Sequence, residues 1–144
     1  MRGERLIIGG FTVINDAYNA NPASMACAIS MLAAEPGEGR RVLVLGDMME
    51  LGPRSEDYHR GVGAAADGAG IDLLLTCGTK AAEITRAATR LAGAGAAMHF
   101  DDQASLAAYL GRWLRTGDTV LIKGSRSTEM ERVIDLLAHP GKES

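Results

Sequence analysis

Asn15-Asp16-Ala17-Tyr18-Asn19-Ala20-Asn21-Pro22 stands between two apolar segments of different period. Before it, Phe11-Thr12-Val13-Ile14 reads as a buried strand. After it, Met25, Ala28, Ile29 and Leu32 recur at i, i+3, i+4 and i+7, the spacing of a helix with one apolar face. Asn21 has an N-cap side chain, and Pro22 suits the first helical turn, where its missing N–H costs nothing. The octapeptide is therefore a strand-to-helix loop at the carboxyl edge of a sheet, where open α/β folds bind ligands. Asn and Asp favour turns for local hydrogen-bonding reasons. Packing and turn formation do not, however, call for one carboxylate, one phenol and three amides in eight residues.

The same alternation continues on either side. Toward the N-terminus, Arg5-Leu6-Ile7-Ile8 and Phe11 to Ile14 flank Gly9-Gly10, a hairpin signal because tight primed turns need positive φ. Toward the C-terminus, Arg41 to Leu45, Asp72 to Thr76, Ala97 to Phe100 and Thr119 to Ile122 read as further strands. The continuous apolar run of the first of these is the pattern of a parallel strand covered on both faces. Between them lie helical spacings: Val62, Ala65 and Ala66 behind a Ser55 cap; Ile84, Ala87, Ala88 and Leu91 in one helix; Leu106, Tyr109, Leu110 and Trp113 behind Asp101 or Asp102; and Met130, Val133, Ile134 and Leu137. Strand and helix alternate five times. The expectation is one α/β domain, a Rossmann-like three-layer sandwich with a structured core over about residues 4–138. Its sheet is mostly parallel, of about six strands, with one antiparallel edge strand from the N-terminal hairpin.

Composition excludes several classes of function. The 144 residues are 47% apolar, with a formal charge of −3. That balance gives no electrostatic footprint for nucleic acid or an anionic membrane. No apolar run approaches a membrane span or the h-region of a signal peptide, so a cytoplasmic protein is expected. Cys27 and Cys77 have no metal or redox spacing, and His59, His99 and His139 no zinc-type spacing, so no metal site is expected. No Gly-x-x-x-x-Gly-Lys-Ser/Thr occurs, and Gly93-Ala94-Gly95 follows a helix instead of opening one, so neither nucleotide fingerprint is present.

Four strand-to-helix loops carry the chemistry: Asp16, Tyr18, Asn19 and Asn21; Asp47 and Glu50; Thr79 and Lys80; Lys123, Ser125 and Arg126. Acids stand on the early loops and cations on the late ones. Backbone N–H groups at a helix start beside a lysine and an arginine suit a carboxylate or phosphate. Solvated charges paired with Glu129 or Asp47 are the plainer reading of the last loop. Asp16, Asp47 and Lys123 also suggest a phospho-accepting receiver domain, but Asp47 falls one strand-helix unit too early for the acceptor.

Asp16-Ala17-Tyr18-Asn19-Ala20-Asn21-Pro22 closely resembles the Asp-Ser-Tyr-Asn-Ala-Asn-Pro motif of the D-alanyl-D-alanine-adding Mur ligases, with Ala17 where serine is common. Leu45-Gly46-Asp47-Met48-Met49-Glu50-Leu51-Gly52, followed by a helix holding His59, resembles that family's Leu-Gly-Asp-Met-x-Glu-Leu-Gly loop. Ile122-Lys123-Gly124-Ser125-Arg126 with Met130-Glu131 resembles its Val-Lys-Gly-Ser-Arg…Met-Glu segment, and Arg2-Gly3-Glu4 resembles its interdomain joint. The resemblance covers the C-terminal third of such an enzyme. It implies an N-terminal UDP-sugar domain and a central ATPase domain as partners, outside these residues, with a cut at the domain boundary. The implied reaction joins D-Ala-D-Ala to UDP-N-acetylmuramoyl-tripeptide through an acyl phosphate, using ATP and Mg2+ held mainly by the central domain. This domain alone would hold neither and would be silent. By the same resemblance, Asp16, Tyr18, Asn19 and Asn21 lie at the nucleotide end. Asp47, with Glu50, faces the interdomain cleft and orients the incoming amine or the closed state, and Lys123, Ser125 and Arg126, with Thr79 and Lys80, take the dipeptide carboxylate. A free-standing Rossmann-like binding module without catalysis is the alternative.

Overall fold

A computed structural model describes residues 4–140. The Arg2-Gly3 part of the joint motif lies outside the described residues. Among the described residues six strands form one sheet: β1 (Glu4–Ile8), β2 (Phe11–Asp16), β3 (Arg41–Leu45), β4 (Leu73–Cys77), β5 (Ala97–Phe100) and β6 (Thr119–Lys123), in the order β1-β2-β6-β3-β4-β5. Only β1 and β2 pair antiparallel, through Gly9 and Gly10 at φ 54° and 87°, the left-handed turn expected of the two glycines. All other pairings are parallel.

Among the described residues six α-helices cover the two faces: α1 (Pro22–Ala33), α2 (Ser55–Asp67), α3 (Ala82–Ala87), α4 (Thr89–Gly93), α5 (Gln103–Trp113) and α6 (Glu131–Ala138). Alternate strand residues divide between two cores. Ile14, Leu43, Leu45, Leu74 and Leu121 pack with α1 to α4. Val13, Val42, Val44, Leu73, Leu75, Val120 and Ile122 pack with α5 and α6. Full burial of each such side chain is worth about 1.5–3 kcal/mol. No helix among the described residues is long and apolar enough to cross a membrane.

Three local expectations are corrected. Ser55 is the first residue of α2 and not its cap; Arg54 holds the cap position without a side-chain hydrogen bond. Ala65 is exposed, and His59 and Gly63 share the buried face of α2 with Val62 and Ala66. Gly63 sits there because a Cβ would come within 2.1 Å of the Ile84 carbonyl oxygen. The single third helix is two, broken at Ala88, because the Asp67 carboxylate accepts the Arg90 and Leu91 N–H groups and starts α4 afresh. Asp102, not Asp101, caps α5, accepting from the Ser105 N–H at 2.7 Å.

At the amino edge of the sheet, Asp118 collects the Arg40 N–H and guanidinium and the Arg115 N–H, while Arg40 lies 3.5 Å over the Trp113 ring. Burial works to raise the Asp118 pKa, but the donated hydrogen bonds outweigh it and hold the carboxyl below its ordinary value. A depressed folded-state pKa stabilises above the unfolded value and is lost as pH falls through the folded one. The stability gap between the parent chain and Asp118→Asn is therefore expected to close below about pH 4, read by urea unfolding at several pH values.

Candidate functional site

The carboxyl ends of β2, β6, β3 and β4 lie side by side, so the loops that follow them share one rim. The first loop is shaped by its own side chains. Asn15 Oδ1 accepts from the Ala17 N–H, and Asn19 Oδ1 from the Ala20 N–H. Asn21 and Ser24 form a reciprocal capping box at the start of α1. Ala17 and Ala20 are buried, which leaves Tyr18, Asn19 and Asn21 exposed. Tyr18 is 54% exposed.

Asp16 and Lys123 are register partners on adjacent strands and point to the α1 face. The Lys123 ammonium donates to Asp16 Oδ2 at 3.0 Å and to the Asn19 carbonyl at 2.8 Å. Lys123 is 1% exposed and Asp16 5%, so the pair is dry and braces the first loop against β6. Lys123 is therefore turned to Asp16, away from the anion pocket expected beside Arg126.

Asp47 is also turned inward. Its Oδ1 accepts the Ala81 N–H at 2.7 Å, just ahead of α3, and it is 7% exposed. Gly78, at φ 121°, permits this approach; a Cβ there would lie 2.4 Å from Asp47 Oδ1. A carboxylate so held is unlike a phospho-acceptor, which must be reachable. The residues beyond Asp47 are pinned from two sides. The Met48 N–H donates to His59 Nε2 at 3.0 Å, and His59 Nδ1 lies 2.7 Å from the Ser55 carbonyl, which places the imidazole proton on Nδ1. The Met49 N–H donates to Ser125 Oγ at 2.8 Å, and the Ser125 N–H to the Asp47 carbonyl at 2.9 Å. Ser125 is thus a latch between loops, its hydroxyl oxygen accepting from Met49 while its O–H remains a donor.

Three groups of the expected set face outward. The Arg126 guanidinium lies 5.4 Å over the Tyr18 ring and joins the last loop to the first. Thr79 and Lys80 are exposed on the β4–α3 loop and make no side-chain hydrogen bond or ion pair among the described residues. Glu50 and Glu129, both exposed, hold φ of 60° and 51°, unusual for non-glycine residues. His59, which the sequence places in the helix after the second loop without a role, holds that loop in the structure. Its signal was its spacing: it stands three and four residues before Val62 and Gly63, on the inner face of α2.

Residues 1–126 match the family described as Mur ligase, glutamate ligase domain. The chain is 42% identical over 131 residues to the UDP-N-acetylmuramoyl-tripeptide–D-alanyl-D-alanine ligase of Escherichia coli (strain K12), an alignment covering 90% of this chain and 27% of that protein. It is 36% identical over 132 residues to the ligase of the same name from Bacillus subtilis (strain 168), covering 91% and 29%. The crystal structure of MurF ligase from Thermotoga maritima in complex with ADP superposes with a TM-score of 0.82 at 26% identity, over 96% of this chain and 31% of that one. The chain spans less than a third of the length of the curated relatives it matches.

Proposed function

The chain belongs to the Mur ligase family, matching its glutamate ligase domain, and from that premise we propose that it is the C-terminal domain of a cytoplasmic, ATP-dependent ligase that adds D-Ala-D-Ala to UDP-N-acetylmuramoyl-tripeptide. The observation that carries this reading is the shared rim. Tyr18 and Arg126 meet across it, and Asp47 and Ser125 join the loops between them. Such a rim makes one wall of a cleft whose other wall is an ATPase domain holding the triphosphate and Mg2+; an N-terminal domain carries the UDP-sugar. Positioning and charge neutralisation dominate phosphoryl transfer there. This domain closes over the nucleotide with Tyr18, Asn19 and Asn21, while Asp16 holds their loop from beneath through Lys123. It delivers the dipeptide amine to the acyl phosphate and excludes the water that would hydrolyse it.

Of the groups on the last loop, Arg126 takes the dipeptide carboxylate, since the Lys123 ammonium is engaged within the fold and Ser125 Oγ is held against Met49. Lys123 and Asp47 act by holding their loops in place, and Thr79 and Lys80 border the same wall. Arg126→Ala in the full-length ligase is expected to raise the dipeptide KM about 10- to 100-fold, the loss of one charge-assisted hydrogen bond, with the ATP KM within about twofold. An unchanged dipeptide KM rejects this role. ATP turnover by the 144-residue chain alone would reject the division of labour.

A further inference from the structure

Tyr18 and Arg126 stand on two loops whose backbones are already tied together. The Lys123 ammonium, three residues before Arg126, donates to the Asn19 carbonyl, one residue after Tyr18. The Ser125 N–H donates to the Asp47 carbonyl and fixes the chain just ahead of Arg126. What these bonds leave open is the direction of the two exposed side chains. Neither Glu129 nor Asp47 pairs with the guanidinium; Asp47 accepts the Ala81 N–H instead. Among the described residues the one polar or ring contact of the Arg126 side chain is the Tyr18 ring, whose centroid lies 5.4 Å from Cζ. A ring face attracts the cation without taking up its N–H donors as a carboxylate partner does. The planar N–H fork therefore stays open for a planar acceptor, and a carboxylate is one. Arginine also has many rotamers, and a side chain ordered before binding loses less entropy on binding.

We propose that Tyr18 is a positioning residue for the dipeptide carboxylate, its ring holding the Arg126 guanidinium at the rim with the N–H fork open. The inference rests on the reading of Arg126 as the carboxylate site, and it gives Tyr18 a second task beside its nucleotide contact. The ring face does the holding, so the phenol hydroxyl is not needed for it. Tyr18 is 54% exposed with the guanidinium in place, which leaves ring surface for the nucleotide. A nucleotide packed there fixes the ring, and through the ring it fixes Arg126. Occupancy of either end then favours occupancy of the other, by the same factor in both directions.

The test is a double-mutant cycle in the full-length ligase, read as the D-Ala-D-Ala KM at saturating ATP. Tyr18→Leu is expected to raise that KM about 2- to 5-fold, the worth of an exposed cation–π contact, and Tyr18→Phe to keep it low. In an Arg126→Ala background the same Leu substitution is expected to leave the dipeptide KM unchanged. An equal rise in both backgrounds overturns the positioning role, and so does no rise in the parent enzyme while Arg126→Ala raises the KM. An Arg126→Ala variant with the parent dipeptide KM removes the carboxylate site itself, and this inference with it. The link to nucleotide is read by calorimetric titration of D-Ala-D-Ala into ligase loaded with UDP-N-acetylmuramoyl-tripeptide, with and without saturating AMP-PNP. The tightening produced by AMP-PNP is expected to shrink about 2- to 5-fold in Tyr18→Leu. Unchanged tightening overturns the link while leaving the positioning role standing.

Discussion

Lys123→Met is expected to destabilise the chain by about 3–5 kcal/mol, the cost of leaving a buried charge without its partner. The residue is one of the largest fully buried side chains, and its ammonium holds Asp16 Oδ2 at 3.0 Å and the Asn19 carbonyl at 2.8 Å. Methionine keeps most of the volume and none of the charge. Asp16 then has neither oxygen partnered among the described residues, since Oδ1 already lacks a donor there. Replacing both members is a different experiment. Asp16→Leu with Lys123→Met removes the desolvation of both charges, and the double variant is expected to recover most of the loss. Urea unfolding reads both effects as shifts of the midpoint at constant slope. A single-variant loss below about 1 kcal/mol would show that the pair is no more than a surface-type ion pair.

His59→Ala is expected to cost about 2–4 kcal/mol, from a cavity in the α2 face together with an unsatisfied Met48 N–H. The imidazole is fully buried and works at both ends, accepting from Met48 at Nε2 and donating from Nδ1 to the Ser55 carbonyl. Glutamine also offers one acceptor and one donor, so His59→Gln is expected to restore part of the loss, while His59→Phe restores volume without hydrogen bonds. Thermal melting separates the three, at roughly 3 °C per kcal/mol for a domain of this size. Amide exchange at Met48 and Met49 distinguishes a local from a global effect. Faster exchange confined to these amides in His59→Phe is the expected signature of a released loop. Equal behaviour of the Gln and Phe variants would show that the ring serves only to fill space.

The site was readable from the sequence in proportion to how local its causes are. Asn21 and Pro22 are neighbours in the chain, and the cap and helix start are where the spacing puts them; Ser24 completes the capping box in the structure. Met25, Ala28, Ile29 and Leu32 are all buried for the same reason. The α3–α4 break escaped because Asp67, which causes it, lies 24 residues before Leu91. Lys123 beside an exposed arginine in an Ile-Lys-Gly-Ser-Arg segment reads as one of two surface cations. Its burial depends on Asp16, 107 residues away. Asp47 reads as an outward acid until the Ala81 N–H and the bare Cα of Gly78 are brought against it.

Periodicity, caps and turn glycines were enough to place the strands, the helices other than the α3–α4 break, and the loops that share an edge, because each depends on neighbours within about four positions in the chain. Which polar groups on those loops are spent within the fold and which remain for a ligand depended on contacts between distant strands. Burial of a charge is a property of everything packed around it, and no stretch of chain carries that information by itself.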